Sequence, residues 1–486
     1  MKTNLTNEQK DYARFLPALS GFYATYVGKQ RFDEYVETSR IPTNLKNGVE
    51  SLNYINQNEG QFQYKWTLYS AGHAELDINK DAPKEDMVRN RDRNNSWILG
   101  DSGGFQIGKG VWEGDWKDPN CPKAHKKRDG VLRWMDEYMD YGMILDIPAW
   151  VSRSPAGQKA TGITSYQEAV NATRINNDYF MKNRSGACKF LNVLQGENFQ
   201  QADDWYAQMK DYCDPKKYPS THFNGWAMGG QNMCDIHLAL KRLVALRFDG
   251  LLEKGKHDVM HFLGTSKLEW AVLLTDVQRA IRKYHNENFM ITFDCASPFL
   301  ASANGQVYTD IEIKDKAKWV YRMMASADDK GFAKETKSFR DAVLEKGIFP
   351  AFRDSPVSAR WMLKDITCYN PGDLNKMGND PKTSWDSFSY TLQMAHNVWM
   401  HITAVQEANQ MYDKGINPKM LVQEQFDRIA FKDIVNAVFA TSSRDEANAV
   451  IEEFQRFWMS IIGTRGATGK KTVNASTQFQ NLFEEV

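Results

Sequence analysis

Six short apolar runs end in residues whose types could do chemistry: Asp101 after WILG, Asp146 after MIL, Gln195 after FLNVL, Gly229 with Gly230 after GWAM, Leu263 with Gly264 after VMHF, and Asp294 after MITF. Three carboxylates and an amide converging on one mouth can act as nucleophile and general acid/base, as paired carboxylates do when a glycosidic bond is broken. Each Asp alone reads equally as a helix N-cap or turn residue. Their joint occurrence favours a site.

The elements that must position them are near-continuous apolar runs, each closed by Gly, Ser, Asp or Pro and followed by a helical stretch. They are WTLYSAG (66–72), WILGDSGGF (97–105), MILDIPA (143–149), FLNVLQGE (190–197), GWAMGG (225–230), VMHFLG (259–264) and MITFDCASP (290–298), with FLPALSG (15–21) a weaker first member. Such runs suit strands buried on both faces of a parallel sheet. Between them, Leu132, Met135, Tyr138 and Met139 share one helical face. Repeated strand–helix units predict a (β/α)8 TIM barrel with insertions over residues 1–310, whose active site lies at the C-terminal strand ends. An open doubly wound sheet would need an early G-x-G-x-x-G loop, and there is none.

After about residue 310 the pattern becomes helical, predicting a mainly helical C-terminal region (311–486) packed on the barrel. Trp385, Phe388, Leu392, Ala395, Trp399 and Ile402 form a stripe, with Ser384 placed as its cap. A capping box Ser443-x-x-Glu446 opens another helix, through Ala447, Val450, Phe454, Phe457 and Ile461. The basic segment 463–472 reads as a solvated tail, with phosphate contact as its functional alternative.

The chain has 486 residues, and its 61 Lys plus Arg balance 61 Asp plus Glu, which excludes a strongly basic DNA-coating protein. No apolar run approaches the ~18–20 residues that span a bilayer. The first residues, MKTNLTNEQKDYAR, lack a signal-peptide core. The six Cys include no C-x-x-C pair and read as reduced thiols, so a cytoplasmic protein is expected, in the host cytoplasm if viral.

The segment DSGGFQ (101–106) is more specific than any of this. It resembles the signature of tRNA-guanine transglycosylases, which exchange a guanine in a nucleic acid for a 7-deazaguanine. MILDIP, LNVLQG, GWAMGG, HFLG and TFDCASPFLASANGQ follow in that family's order. The resemblance covers roughly residues 60–310. It implies that Asp294 is the nucleophile that captures C1′ and that Asp101 is the general acid/base serving the departing and incoming purines. It also implies that Asp146 and Gln195 bind the guanine edge, that Gly229 and Gly230 let the backbone approach O6, and that Phe105 and Leu263 sandwich the purine. Ser102, in the same turn, is counted with the base-binding residues, and Cys295 lies beside the nucleophile; neither reads as a catalyst, packing and backbone geometry being the more ordinary role of each. The residue types suit this chemistry independently of the family: a leaving purine needs a proton, and a sugar cation needs a carboxylate beneath it.

Two departures bear on the substrate. The tRNA enzymes carry a C-x-C-x-x-C zinc motif followed by His, whereas this chain has only Cys368 and then His396, too few for a closed tetrahedral site, with Asp365 or Asp373 as conceivable helpers. No metal or other cofactor is therefore expected. Where those enzymes read L-P-T-R, this chain reads SPFLASAN, and Phe299 and Leu300 cannot grip anticodon bases as arginines do. The chain is in these respects closest to the phage-type 7-deazaguanine DNA transglycosylases, whose modification protects viral DNA from restriction. The expected partners are DNA, with the target base taken out of the stack, and a free 7-deazaguanine base. With no net charge, DNA contacts must be local: Arg89, Arg91 and Arg93, or Lys123, Lys126, Lys127 and Arg128, with Trp112 and Trp116 able to wedge or to pack. The alternatives are the same reaction on tRNA, a non-catalytic nucleic-acid-binding paralogue, which the presence of both Asp101 and Asp294 disfavours, and a carbohydrate glycosidase, which DSGGFQ disfavours.

Overall fold

The computed structural model describes residues 1–30, 36, 38–74, 76, 86–314, 319–326, 332, 334–346, 352–366, 385–423 and 429–461. Eight parallel strands close into a barrel: β1 (Arg14–Leu19), β2 (Trp66–Ser70), β3 (Trp97–Asp101), β4 (Tyr141–Met143), β5 (Lys189–Leu194), β6 (Gly225–Met228), β7 (Val259–Phe262) and β8 (Met290–Cys295). Each predicted run supplies one strand, and FLPALSG is indeed the first, pairing with both β2 and β8. Helices lie between successive strands, save between β2 and β3, where none is found among the described residues, which makes this a (β/α)8 barrel. The strand in MILDIPA is the one that shifts, ending at Met143, three residues before Asp146.

Register decides which side chains meet. Ser70 is the partner of Asp101 across β2 and β3, and His261 is the partner of Thr292 across β7 and β8. Side chains at paired positions project from the same face of the sheet.

The chain after the barrel does not go straight into helix. A short helix, Ser297–Ala303, leads to an antiparallel hairpin of β9 (Gln306–Ile313) and β10 (Trp319–Ala325), where the sequence pattern predicts helix. The hairpin is legible afterwards in the alternation of QVYTDIEI, with Val307, Ile311 and Ile313 buried.

The long helix Trp385–Asp413 packs against the helix Leu268–Tyr284, against β1 and against β9. It thus takes the place of the helix between β8 and β1. Covered on both sides, it is buried almost all round from residue 388 to 406 rather than along one stripe. Phe388 and Leu392 are fully buried, worth about 1.5–3 kcal/mol each. Many of its polar residues are buried too, and some find distant partners: Asn397 Nδ2 donates to Ser302 Oγ at 3.0 Å, and Gln406 Nε2 donates to Leu5 O at 2.8 Å. Ser384, expected as its cap, lies outside the described residues, as does the segment 463–472.

Ser443 does cap its helix, accepting from the Glu446 N–H at 3.3 Å, while Glu446 reaches back to the Ser442 N–H at 3.1 Å. That helix ends at Glu453, and a second turn, Gln455–Ser460, follows after a break at Phe454, so the expected single helix is two. No helix among the described residues is long and apolar enough to cross a membrane.

Candidate active site

A cavity of about 340 Å³ opens at the C-terminal ends of the strands, lined by Asp101, Asp146, Gln195, Gly229, Gly230, Leu263, Gly264 and Asp294 together with Phe105. The residues that end the apolar runs therefore do meet in one place. Asp101 is the last residue of β3, Asp294 the last but one of β8, and Gln195 directly follows β5.

Asp101 Oδ2 accepts from the Ser70 hydroxyl at 2.7 Å. Burial pushes its carboxyl above the usual range, the Asp294 charge adds to this, and hydrogen bonds from Ser70 and the Gly103 N–H oppose it. A carboxyl so placed holds a proton more readily than one in water, as a general acid must. Gly103, in the left-handed conformation at φ +81°, turns the chain from β3 into the helix Gly104–Gly108. A Cβ on Gly104 would come within 2.5 Å of Asp146 O, so only glycine lets this helix start against Asp146.

Asp146 is 6 % exposed and accepts from Gln195 Nε2 at 2.8 Å. Burial raises its carboxyl to about 7; the Gln195 hydrogen bond resists this and the Asp101 charge reinforces it. The Gly229 N–H is committed to Leu194 O at 2.8 Å, so Gly229 has none to offer a ligand. Gly230 N–H makes no hydrogen bond among the described residues, and a Cβ on Gly230 would meet Gly196 O at 2.4 Å and Gln195 Oε1 at 3.1 Å, so only glycine fits here. Asp146 and Gln195 thus form a hydrogen-bonded pair with Gly230 next to Gln195, and all three line the cavity. Phe105 and Leu263, both half-buried, give the cavity apolar surface, with Trp150 tilted against Phe105 at 6.2 Å between ring centroids.

Asp294 Oδ1 accepts from the Gly264 N–H at 2.7 Å and lies 3.2 Å from His261 Nε2. Sequence reasoning misses His261, Ser70 and Trp150. A signal for two of them exists: His261 is the one polar residue inside VMHFLG, and Ser70 closes WTLY as Asp101 closes WILG.

Several expected placements are corrected. Ser102 is 1 % exposed and does not line the cavity, so it packs rather than binds base. Arg91 donates to Tyr138 O at 3.0 Å and pairs with Asp140 at 2.9 Å, its side chain 1 % exposed. It lies before β3 and bonds residues before β4, at the barrel end opposite the cavity. Arg89, half-buried over the Tyr138 ring at 5.6 Å, belongs to that same end, and Arg93 is exposed there. Arg128 is buried, donates to Asn176 Oδ1 at 2.6 Å and lies between the Trp116 and Tyr179 rings. Trp116 is fully buried and Trp112 nearly so, which makes both packing residues, and the Trp112 ring backs Gly103. Lys123 and Lys126 are exposed and Lys127 half-buried over the Trp112 ring, on the helix Pro122–Tyr138. That helix runs antiparallel to β3, so its start sits at the cavity end of the barrel.

His396 bonds at both ring nitrogens, to Ser355 Oγ at 2.9 Å and Tyr308 O at 2.8 Å, which leaves neither for a metal. Asp365 is buried and accepts from the Met362 N–H at 2.7 Å, while Cys368 and Asp373 lie outside the described residues. Among the described residues no group of three or more His, Cys, Asp or Glu could hold a metal ion. No family model matches the chain, and no curated protein matches it.

Proposed function

We propose that this chain is a base-exchange transglycosylase that replaces guanine in DNA by a 7-deazaguanine, 7-cyano-7-deazaguanine or a close relative, through a covalent Asp294 intermediate. One observation carries the reading: the hydrogen-bonded Asp146–Gln195 pair, next to Gly230, shares its cavity with two further carboxylates, Asp101 and Asp294. A guanine edge offers O6 to the Gly230 N–H, and N1–H with the exocyclic amine to Asp146. Phe105 and Leu263 supply apolar surface for a flat ring.

In the first half-reaction an Asp294 oxygen bonds C1′ as the C1′–N9 bond breaks, and N9 takes the Asp101 proton. In the second, the incoming base returns a proton to Asp101 while its N9 bonds C1′, and the ester electrons go back to Asp294. Covalent capture keeps the strand intact between the two halves. The choice of DNA over tRNA rests on SPFLASAN, which lacks the arginines of the tRNA enzymes, and on the missing cysteines of their zinc motif. In this reading DNA contacts near the cavity come from Lys123, Lys126 and Lys127, and the biological role is modification of phage DNA against restriction.

The test is incubation with labelled 7-deazaguanine and either duplex DNA, single-stranded DNA or tRNA, followed by digestion to nucleosides. Label in DNA that disappears with Asp294→Ala is the expected result. Label in tRNA alone, or label that persists in Asp294→Ala, refutes the proposal.

A further inference from the structure

We infer that His261 is a positioning residue for Asp294, which, oriented by Thr292, holds Oδ1 together with the Gly264 N–H and speeds the release of the sugar from Asp294. This deepens the base-exchange reading and rests on it.

His261 is fully buried in β7, with Nδ1 2.9 Å from Thr292 Oγ1 and Nε2 3.2 Å from Asp294 Oδ1. An ionised carboxylate has no proton to give, so Nε2 must carry the hydrogen of this bond. In the neutral ring Nδ1 is then an acceptor, and the Thr292 hydroxyl donates to it. Thr292 is the register partner of His261 and lies two residues before Asp294 on the same strand. The tautomer is thus set by the strand that carries the nucleophile.

The second donor comes from the turn after β7. Gly264, at φ +60°, bends the chain so that its N–H meets the same Oδ1 at 2.7 Å, and the Thr265 N–H donates to Asp294 O at 2.7 Å. Three bonds from residues 261–265 therefore fix both the main chain and the carboxylate of Asp294. A lone buried histidine beside a carboxylate has a bland reading as packing. The bland reading does not require both donors on one oxygen of a residue that lines the cavity.

The consequence follows from the charge. Asp294 carries its negative charge before attack, loses it in the ester, and regains it when the C1′–O bond breaks and the electron pair returns. Donors aimed at Oδ1 stabilise the carboxylate relative to the ester, so they favour the second half-reaction. Removal of one preorganised donor of this kind costs about 10²–10³ in rate.

The expected behaviour of His261→Phe is slower turnover by about 10²–10³, with the covalent DNA adduct accumulating and the KM for free base unchanged, since Asp146, Gln195 and Gly230 set it. His261→Gln, which keeps an N–H donor, regains part of the rate. Thr292→Val, which leaves the imidazole in place and only frees its tautomer, shows a smaller effect of the same kind and stands in if the buried His261→Phe does not fold. A packing role instead lowers adduct and turnover together and raises KM, and that result overturns the inference. Wild-type exchange into DNA with His261→Phe turning over normally overturns the inference and leaves the base-exchange reading intact; no exchange by the wild type into DNA or tRNA removes both. A readout independent of activity is the 15N spectrum of histidine-labelled protein, with His261 assigned by loss of its signal in His261→Gln. The expected signal is a ring with its hydrogen on Nε2 that shifts in Asp294→Asn, and a ring protonated at Nδ1 alone refutes the assignment whatever the activity.

Discussion

Replacing Asp146 by Asn should cost base binding and change stability in a pH-dependent way. The carboxyl moves from its usual 3.8 to about 7 because burial penalises the charge. Each unit is worth about 1.36 kcal/mol, so above pH 7 the ionised Asp146 destabilises the fold by on the order of 4 kcal/mol relative to its neutral form. The side chain is 6 % exposed, so solvent screening takes little from this figure. A folded-state value raised above the unfolded one gives a stability contribution that is fully present below about pH 4 and is lost as pH rises to 7. The amide of Asp146→Asn does not titrate and carries no such dependence, and it can keep the Gln195 bond through its own carbonyl oxygen. Its new N–H group costs about 1–3 kcal/mol if left without an acceptor, at every pH. The variant should therefore be less stable than wild type at pH 4 and more stable at pH 8, the difference between them swinging by on the order of 4 kcal/mol. Urea denaturation of both proteins at pH 4, 5, 6, 7 and 8 measures the swing. A difference that stays constant across this range shows that Asp146 is ionised in the fold without penalty, and the argument from burial fails.

Three further outcomes follow from the same geometry. On the proposed function guanine donates to Asp146, which needs the carboxylate, so its affinity should rise about tenfold per pH unit up to 7 and level off above it; calorimetry in two buffers should record a proton released on binding near pH 6, and pH-independent affinity would contradict it. Ser70→Ala removes a bond that favours ionised Asp101, so the alkaline limb of the rate profile, where the acid loses its proton, should move to higher pH; a limb that moves down or stays would refute the role given to Ser70. Arg128→Ala should destabilise the protein by about 1.5–3 kcal/mol through lost charged hydrogen bonds while the salt dependence of DNA binding is unchanged, whereas Lys126→Ala should lower the salt slope by about one phosphate contact. The reverse pattern would place Arg128 at the DNA.

The strands were legible because a parallel barrel buries them on both faces, and burial writes itself as apolar runs such as WILG and MITF. The hairpin at Gln306–Ala325 was not, since its exposed β10, with Val320, Met323 and Met324 at the surface, reads as neither a buried strand nor an amphipathic helix. Arginines mislead for a related reason. Arg91, Arg93 and Arg128 are indistinguishable as letters, yet Arg91 and Arg128 are held inside by carbonyl, carboxylate and ring partners far away in the sequence, and Arg93 is exposed.

By itself, the sequence determined the barrel, the end of it at which the cavity opens, and the identity of Asp101, Asp146, Gln195 and Asp294 as groups found there. Periodicity and the residue that closes each run are local properties, and local properties survive in one dimension. Only the tertiary structure decided that Gln195 bonds Asp146, that Gly230 rather than Gly229 has an N–H to offer, and that His261 and Ser70 each hold a carboxylate. Those pairings depend on strand register and on the turn at each strand end. Ser70 and Asp101 stand 31 positions apart and His261 and Asp294 33, yet each pair meets across a few ångströms, and nothing in the order of the letters records that closeness.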